Sequence, residues 1–246
     1  MDLNYRTNLL FPAIAHQFDV NGFGEVKDKL IDYVYQYKQN DPIGVNISNR
    51  GGWQSKIFSV QKENDILHSL IINCLASLPH IKKSYDIFVE AWININPTGS
   101  FNNKHNHPCS DLAGVLWIKC PKDCGDIVFH NPNAFQAFHE INSYTDKFKD
   151  QTKYYHNYIF NPTEGRMLIF PSHLEHHVEA NKSDEDRISI SFNINLVPMD
   201  NKKEVEDSMK AYREAAAADA WLFGDYDAYE SYDINTKKVS EEDESV

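Results

Sequence analysis

In the stretch Arg187-Ile188-Ser189-Ile190-Ser191-Phe192-Asn193-Ile194-Asn195-Leu196, apolar and polar residues alternate without a break. Successive side chains of an extended strand point to opposite faces. Ile188, Ile190, Phe192, Ile194 and Leu196 therefore share one face, and Arg187, Ser189, Ser191, Asn193 and Asn195 share the other. The same period of two runs through residues 87–96. There Ile87, Val89, Ala91, Ile93 and Ile95 oppose Phe88, Glu90, Trp92, Asn94 and Asn96. Leu112 to Cys120 is a nearly continuous apolar strand, and Pro121 to Gly125 turns it into Asp126 to His130. Arg166 to Phe170 supplies one strand more.

Two helices precede these strands. Val26, Leu30, Tyr33, Val34 and Tyr37 recur at helical spacing and predict a helix over 24–38. Asn64 or Asp65 caps a second, in which Ile66, Leu67, Leu70, Ile71, Cys74, Leu75 and Leu78 supply a wide apolar face before Pro79 ends it. Both helices need an apolar surface to cover. If that surface is the isoleucine face of 187–196, the polar face lines the interior of an antiparallel barrel or sandwich, and such a lumen holds a ligand or a metal. The expected fold is mainly β with flanking helices.

The rest of the chain is read in the same way. Residues 3–20 are expected to hold a leading strand. Ser48 to Ser55 is either a substrate-facing lid or a tight turn with one anchoring indole, Trp53. The polar, aromatic stretch 131–162 is expected to be a functional loop. The expected organisation is one domain over 1–198, a helix over 199–224 and an acidic, flexible tail over 225–246. A content of 41% hydrophobic and 13% aromatic residues in 246 can bury a full core. A formal net charge of −12 disfavours nucleic acid as a partner. No apolar run is long enough for a membrane span. The absence of a signal-peptide pattern leads to an expected cytoplasmic location, with Cys74, Cys109, Cys120 and Cys124 as reduced thiols. Oligomeric state is not legible.

Two histidine clusters carry the chemistry. His105 and His107 stand at i and i+2, so in an extended segment both imidazoles reach the same side. His173, His176 and His177 follow the strand ending at Pro171. Imidazoles suit iron, zinc, copper and nickel, so residue type alone does not name the metal. An HExxH helix is absent, and Cys120 and Cys124 mark a hairpin more simply than a zinc site. Arg187, with Ser189 on its face, is either a carboxylate clamp beside the metal or a structural cation paired with Asp184 or Glu185.

These residues resemble a known family. The histidine pair, the Gly-Asp-hydrophobic strand, the Phe-Pro before a further histidine, and Arg-x-Ser together resemble the iron(II)- and 2-oxoglutarate-dependent oxygenases. More narrowly, Ser48 to Ser55, His105-Asn106-His107-Pro108, Gly114-Val115 and Phe170-Pro171-Ser172-x-Leu174-Glu175-His176 resemble a family of such oxygenases found in bacteria and marine phages. The resemblance covers about residues 9–197. It implies a double-stranded β-helix (jelly-roll, cupin-like) core. It also implies iron(II), 2-oxoglutarate and O2 as cofactor and cosubstrates, with a small-molecule or peptidyl substrate, and the host cytoplasm as the location if the gene is phage-borne. His105 and His176 match iron ligands, and Arg187 and Ser189 match the pair that holds the distal carboxylate of 2-oxoglutarate. His107 stands where the superfamily normally has Asp or Glu and is taken as the third ligand, with Asp111 or a water as the fallback. Asn94, Asn96, Ser191 and Asn193 are expected in the lumen, near cosubstrate or substrate. Trp53 and Trp92 are read as buried anchors that border the pocket at most. The alternative is a cupin-like metal- or ligand-binding protein without oxygenase activity.

Overall fold

The computed structural model describes residues 4–60, 64–78, 81, 82, 84–133, 140–199 and 207. The expected helix over 199–224 and tail over 225–246 fall almost wholly outside the described residues; Asp207, which is described, is helical. In chain order the elements are β1 (His16–Asp19), α1 (Gly24–Asn40), β2 (Asn49–Arg50), β3 (Trp53–Gln54), β4 (Phe58–Ser59), α2 (Asp65–Ala76), β5 (Tyr85–Asn96), β6 (Phe101–His105), β7 (Leu112–Lys119), β8 (Ile127–His130), α3 (Glu140–Ser143), α4 (Asp146–Thr152), β9 (Asn157–Phe160), β10 (Arg166–Pro171), β11 (His176–Val178) and β12 (Arg187–Pro198).

From β5 onward the chain crosses repeatedly between two antiparallel sheets. The major sheet runs β1-β10-β7-β12-β5-β3, with β4 also on β5, and the minor sheet runs β2-β6-β11-β8-β9. This is the jelly-roll, double-stranded β-helix expected from the resemblance. Its spine is the β12–β5 ladder, unbroken from Arg187 opposite Asn96 to Pro198 opposite Tyr85. Both strands alternate apolar and polar residues along their length, so one register satisfies both faces.

The two faces of β12 lie in different environments. Ile188, Ile190, Phe192 and Ile194 are fully buried against Leu30 and Val34 of α1 and Leu67, Ile71 and Leu75 of α2. A smaller core between the sheets holds Ala113, Val115, Trp117, Phe129, Leu168 and Phe170. Gly114 of β7 explains how the outer layer closes: a Cβ there would lie 2.3 Å from the Phe192 ring and 2.8 Å from the Leu168 carbonyl oxygen. Asn64 caps α2, its side-chain oxygen accepting from the Leu67 amide at 2.9 Å.

Three expectations are corrected. The leading strand is confined to β1, because Phe11 adopts a left-handed φ of 56° just before Pro12, which carries no amide donor for a ladder. Ser48 to Ser55 is an anchored turn and not a lid. The Trp53 indole is buried and donates to the Asp41 carbonyl at 3.0 Å, and β2 and β3 are paired into the two sheets. Residues 131–162 are more than a loop: they carry α3, α4 and β9, the outermost strand of the minor sheet, while 134–139 lie outside the described residues.

Candidate metal centre and anion pocket

His105 is the last residue of β6 and His176 the first of β11, and the two face each other across the ladder. His107 lies two residues beyond β6, held there by its amide, which donates to the Ser172 carbonyl at 2.9 Å. Together the three imidazoles offer one nitrogen each, all within 4.8 Å of one another. The His107 and His176 rings stack at 5.2 Å and 7°, with their Nε2 atoms 3.4 Å apart.

The tautomers follow from the backbone. Nδ1 of His105 lies 2.7 Å from the Asn103 carbonyl, and Nδ1 of His176 lies 2.9 Å from the Leu174 carbonyl. A carbonyl only accepts, so both Nδ1 atoms carry the proton and both Nε2 lone pairs are left for the shared centre. In each case the carbonyl belongs to the residue two before the histidine. Burial also keeps the rings neutral. It lowers His105, and it pushes His176 down to about 3, with the neighbouring His105 acting in the same direction. His107 falls well below its ordinary value through burial first, then His176 and His105, opposed in part by the Asn193 side chain. Three neutral, converging imidazoles fit a transition-metal ion, and the donor set alone fits iron(II) as well as zinc or nickel.

The same cavity is lined by Arg187 and Ser189, and by Asn94, Ser191 and Trp92. Arg187 is 2% exposed. Its Nη1 donates to the carbonyls of Cys124 at 2.6 Å, Gly125 at 3.2 Å and Glu179 at 3.3 Å. Gly125, at a φ of 90°, lets this carbonyl cradle close, since a Cβ would lie 2.3 Å from the Glu179 oxygen. No carboxylate pairs with Arg187 among the described residues; Glu185 pairs with Lys119 at 2.8 Å instead. A buried guanidinium without an anion is costly, and this one borders the cavity. The Asn94 amide nitrogen donates to Ser191 at 3.0 Å, while its buried oxygen has no protein partner. The buried guanidinium suits an anionic occupant, whereas the Asn94 oxygen, an acceptor, calls for a donor such as a hydroxyl or water.

Several expected site residues lie elsewhere. Asn193 is absent from the cavity lining and sits beside His107. Asp111, the fallback ligand, turns away, its carboxylate accepting from the Leu196 amide at 2.7 Å. His173 is exposed, and His177 pairs with His130 at 3.0 Å. The cysteines are free thiols. Trp92, read as an anchor, lines the cavity, its ring 5.6 Å from that of His107. Ser48, the first residue of the stretch read as a lid or a turn, borders the cavity, as does Asn102, which was not singled out in the sequence. Their signal is faint, since both lie in polar segments where face cannot be read from alternation.

Residues 90–193 match the family described as "Putative 2OG-Fe(II) oxygenase". No curated protein sequence matches the chain. Among solved structures, a prolyl-4-hydroxylase from Pseudomonas putida is similar at a TM-score of 0.52 and 13% identity, covering 74% of this chain and 91% of that one. The non-heme alpha-ketoglutarate-dependent carbocyclase SnoK from nogalamycin biosynthesis is similar at 0.51 and 11%, covering 73% and 78%. At such identities these two likenesses speak to the fold alone. The matched segment runs from Glu90 in β5 to Asn193 in β12, so the likeness to the 2OG-Fe(II) oxygenase family, enzymes that use iron(II), 2-oxoglutarate and O2, lies in the jelly-roll core of this chain.

Proposed function

We propose that His105, His107 and His176 hold iron(II) and that Arg187 and Ser189 hold the distal carboxylate of 2-oxoglutarate. The observation that supports this most is a single cavity lined both by three neutral imidazoles and by a buried guanidinium with no carboxylate partner among the described residues. Arginine binds a carboxylate bidentately and keeps its charge, and the Ser189 hydroxyl adds a donor on the same face. The carbonyls of Cys124, Gly125 and Glu179 fix the guanidinium by Nη1 alone, so its remaining donors are unclaimed by the protein among the described residues.

With no carboxylate among the three ligands, the protein neutralises none of the ion's charge. A doubly anionic cosubstrate then sits between a dication and Arg187, which favours its binding electrostatically. The bound iron, with 2-oxoglutarate and O2, supplies an oxidative decarboxylation to succinate and CO2 coupled to hydroxylation of a substrate C–H bond. The chain's own contribution is positioning and exclusion of bulk water. The Asn103 and Leu174 carbonyls orient two ligand rings, and Trp92, Phe170 and Trp117 wall the cavity. The substrate is a small molecule or a peptidyl residue. No helix among the described residues is long and apolar enough to cross a membrane.

The reading is tested by loading the protein with iron(II), supplying 2-oxoglutarate and O2, and measuring succinate. Slow succinate formation without substrate is expected, abolished by His176→Ala. Metal retained by elemental analysis with no succinate formed would favour a cupin-like binding protein instead.

A further inference from the structure

A second cavity, of about 750 Å3, opens beside β9, the outer strand of the minor sheet. Its walls are residues 7–15, which lead into β1, and the segment through α4 into β9. The volume lies within the range of small-molecule sites, about 300–1,000 Å3. Its floor lies behind the His176 ring, on the side of Nδ1. Phe129 and Leu174 line the cavity; the Phe129 ring is 5.4 Å from the His176 ring, and the Leu174 carbonyl is the one that orients His176.

The composition of the walls is selective. Tyr144, Tyr154, Tyr155 and Tyr158 face the cavity with Phe148 and Phe160. No Asp or Glu is among its described lining residues, although the chain carries 36 acidic residues. Of the carboxylates close by in sequence, Asp150 accepts from the Tyr155 hydroxyl and Glu175 pairs with Lys104 at 2.8 Å, and neither lines the space. The only lysine or arginine among its described lining residues is Lys153, which makes no ion pair among the described residues and holds its Nζ 5.9 Å from the centre of the Tyr158 ring. An aromatic cleft can also select cations. Here the protein's own ammonium already occupies one ring face and would repel a second cation, so the charge it invites is negative.

We propose that this cleft binds the body of the substrate, and that the substrate is a ring-bearing small molecule with one acidic group. The ring stacks on the tyrosines, and the acid pairs with Lys153. Calling the ligand a substrate rests on the oxygenase reading, whereas its binding does not.

The test is saturation-transfer NMR on the full, metal-free chain with three probes of one shape: 3-phenylpropionate, its neutral amide and 3-phenylpropylamine. Excess 2-oxoglutarate is kept present to fill the Arg187 pocket. The acid is expected to bind about tenfold more tightly than the amine. Lys153→Gln should erase the preference for acid over amide while retaining ring binding, and Tyr158→Leu should weaken all three, with thermal melting confirming that both variants fold. Equal binding of acid and amine, an acid preference unchanged by Lys153→Gln, or displacement of the acid by 2-oxoglutarate would overturn the inference. Acid binding without succinate formation by the iron-loaded protein leaves the cleft standing and removes the oxygenase reading. Succinate formation without acid binding does the reverse.

Discussion

His107 carries the least ordinary chemistry of the site, because a carboxylate at its position would cancel part of the metal's charge. Replacing it tests the electrostatic argument. His107→Asp is expected to retain iron(II) but weaken 2-oxoglutarate binding, since the site loses one unit of positive charge. His107→Ala should lose iron, read by competition with a chromophoric chelator. Asn193→Ala, which removes the side chain beside the His107 ring, should weaken iron about tenfold or more through loss of ring orientation. An unchanged metal affinity would deny Asn193 that positioning role. The sequence placed Asn193 on the polar face of its strand and expected it near cosubstrate or substrate, whereas it lies beside His107 and outside the cavity lining. Alternation reports the face a residue occupies and not its depth: Asn193 lies six residues from Arg187, about 20 Å along an extended chain. The carbonyls that fix the His105 and His176 tautomers were invisible for another reason, being backbone atoms whose identity no side chain records.

At the level of elements, the β12–β5 ladder and the two helices packed on it were legible because each carries one uninterrupted period. The layer they form leaves no slack at Gly114. Gly114→Ala is expected to destabilise the protein by about 1–3 kcal/mol, measured by urea unfolding, because the added methyl collides with the Phe192 ring and the Leu168 carbonyl. A neutral effect would mean that β7 and β12 can separate. Asn64→Ala should cost about 1 kcal/mol by removing the cap on the Leu67 amide. The elements that escaped the sequence are short or irregular. β2, β3 and β4 have two residues each, too few to show a period, and Phe11 ends the leading strand through a backbone conformation that its residue type does not announce.

Across the whole molecule, the metal centre couples folding to pH. His105, His107 and His176 lie below the ordinary value of 6.5 in the folded, metal-free protein, with His176 at about 3, burial being the main cause. The unfolded chain therefore takes up protons first as the pH falls below about 6.5. Stability from these groups is full above that value and is lost progressively towards pH 3. The urea midpoint of the metal-free protein should fall between pH 7 and 5, and the fall should be shallower in His176→Ala; identical profiles would contradict neutral burial of that ring. The most direct test of the central claim is anaerobic titration of the iron(II)-loaded protein with 2-oxoglutarate, following the visible charge-transfer absorption of the chelated keto acid. A saturable band is expected in the native protein, with a requirement for about tenfold more 2-oxoglutarate, or greater, in Arg187→Ala. No band in folded, iron-loaded protein, or the same titration curve in Arg187→Ala, would contradict it.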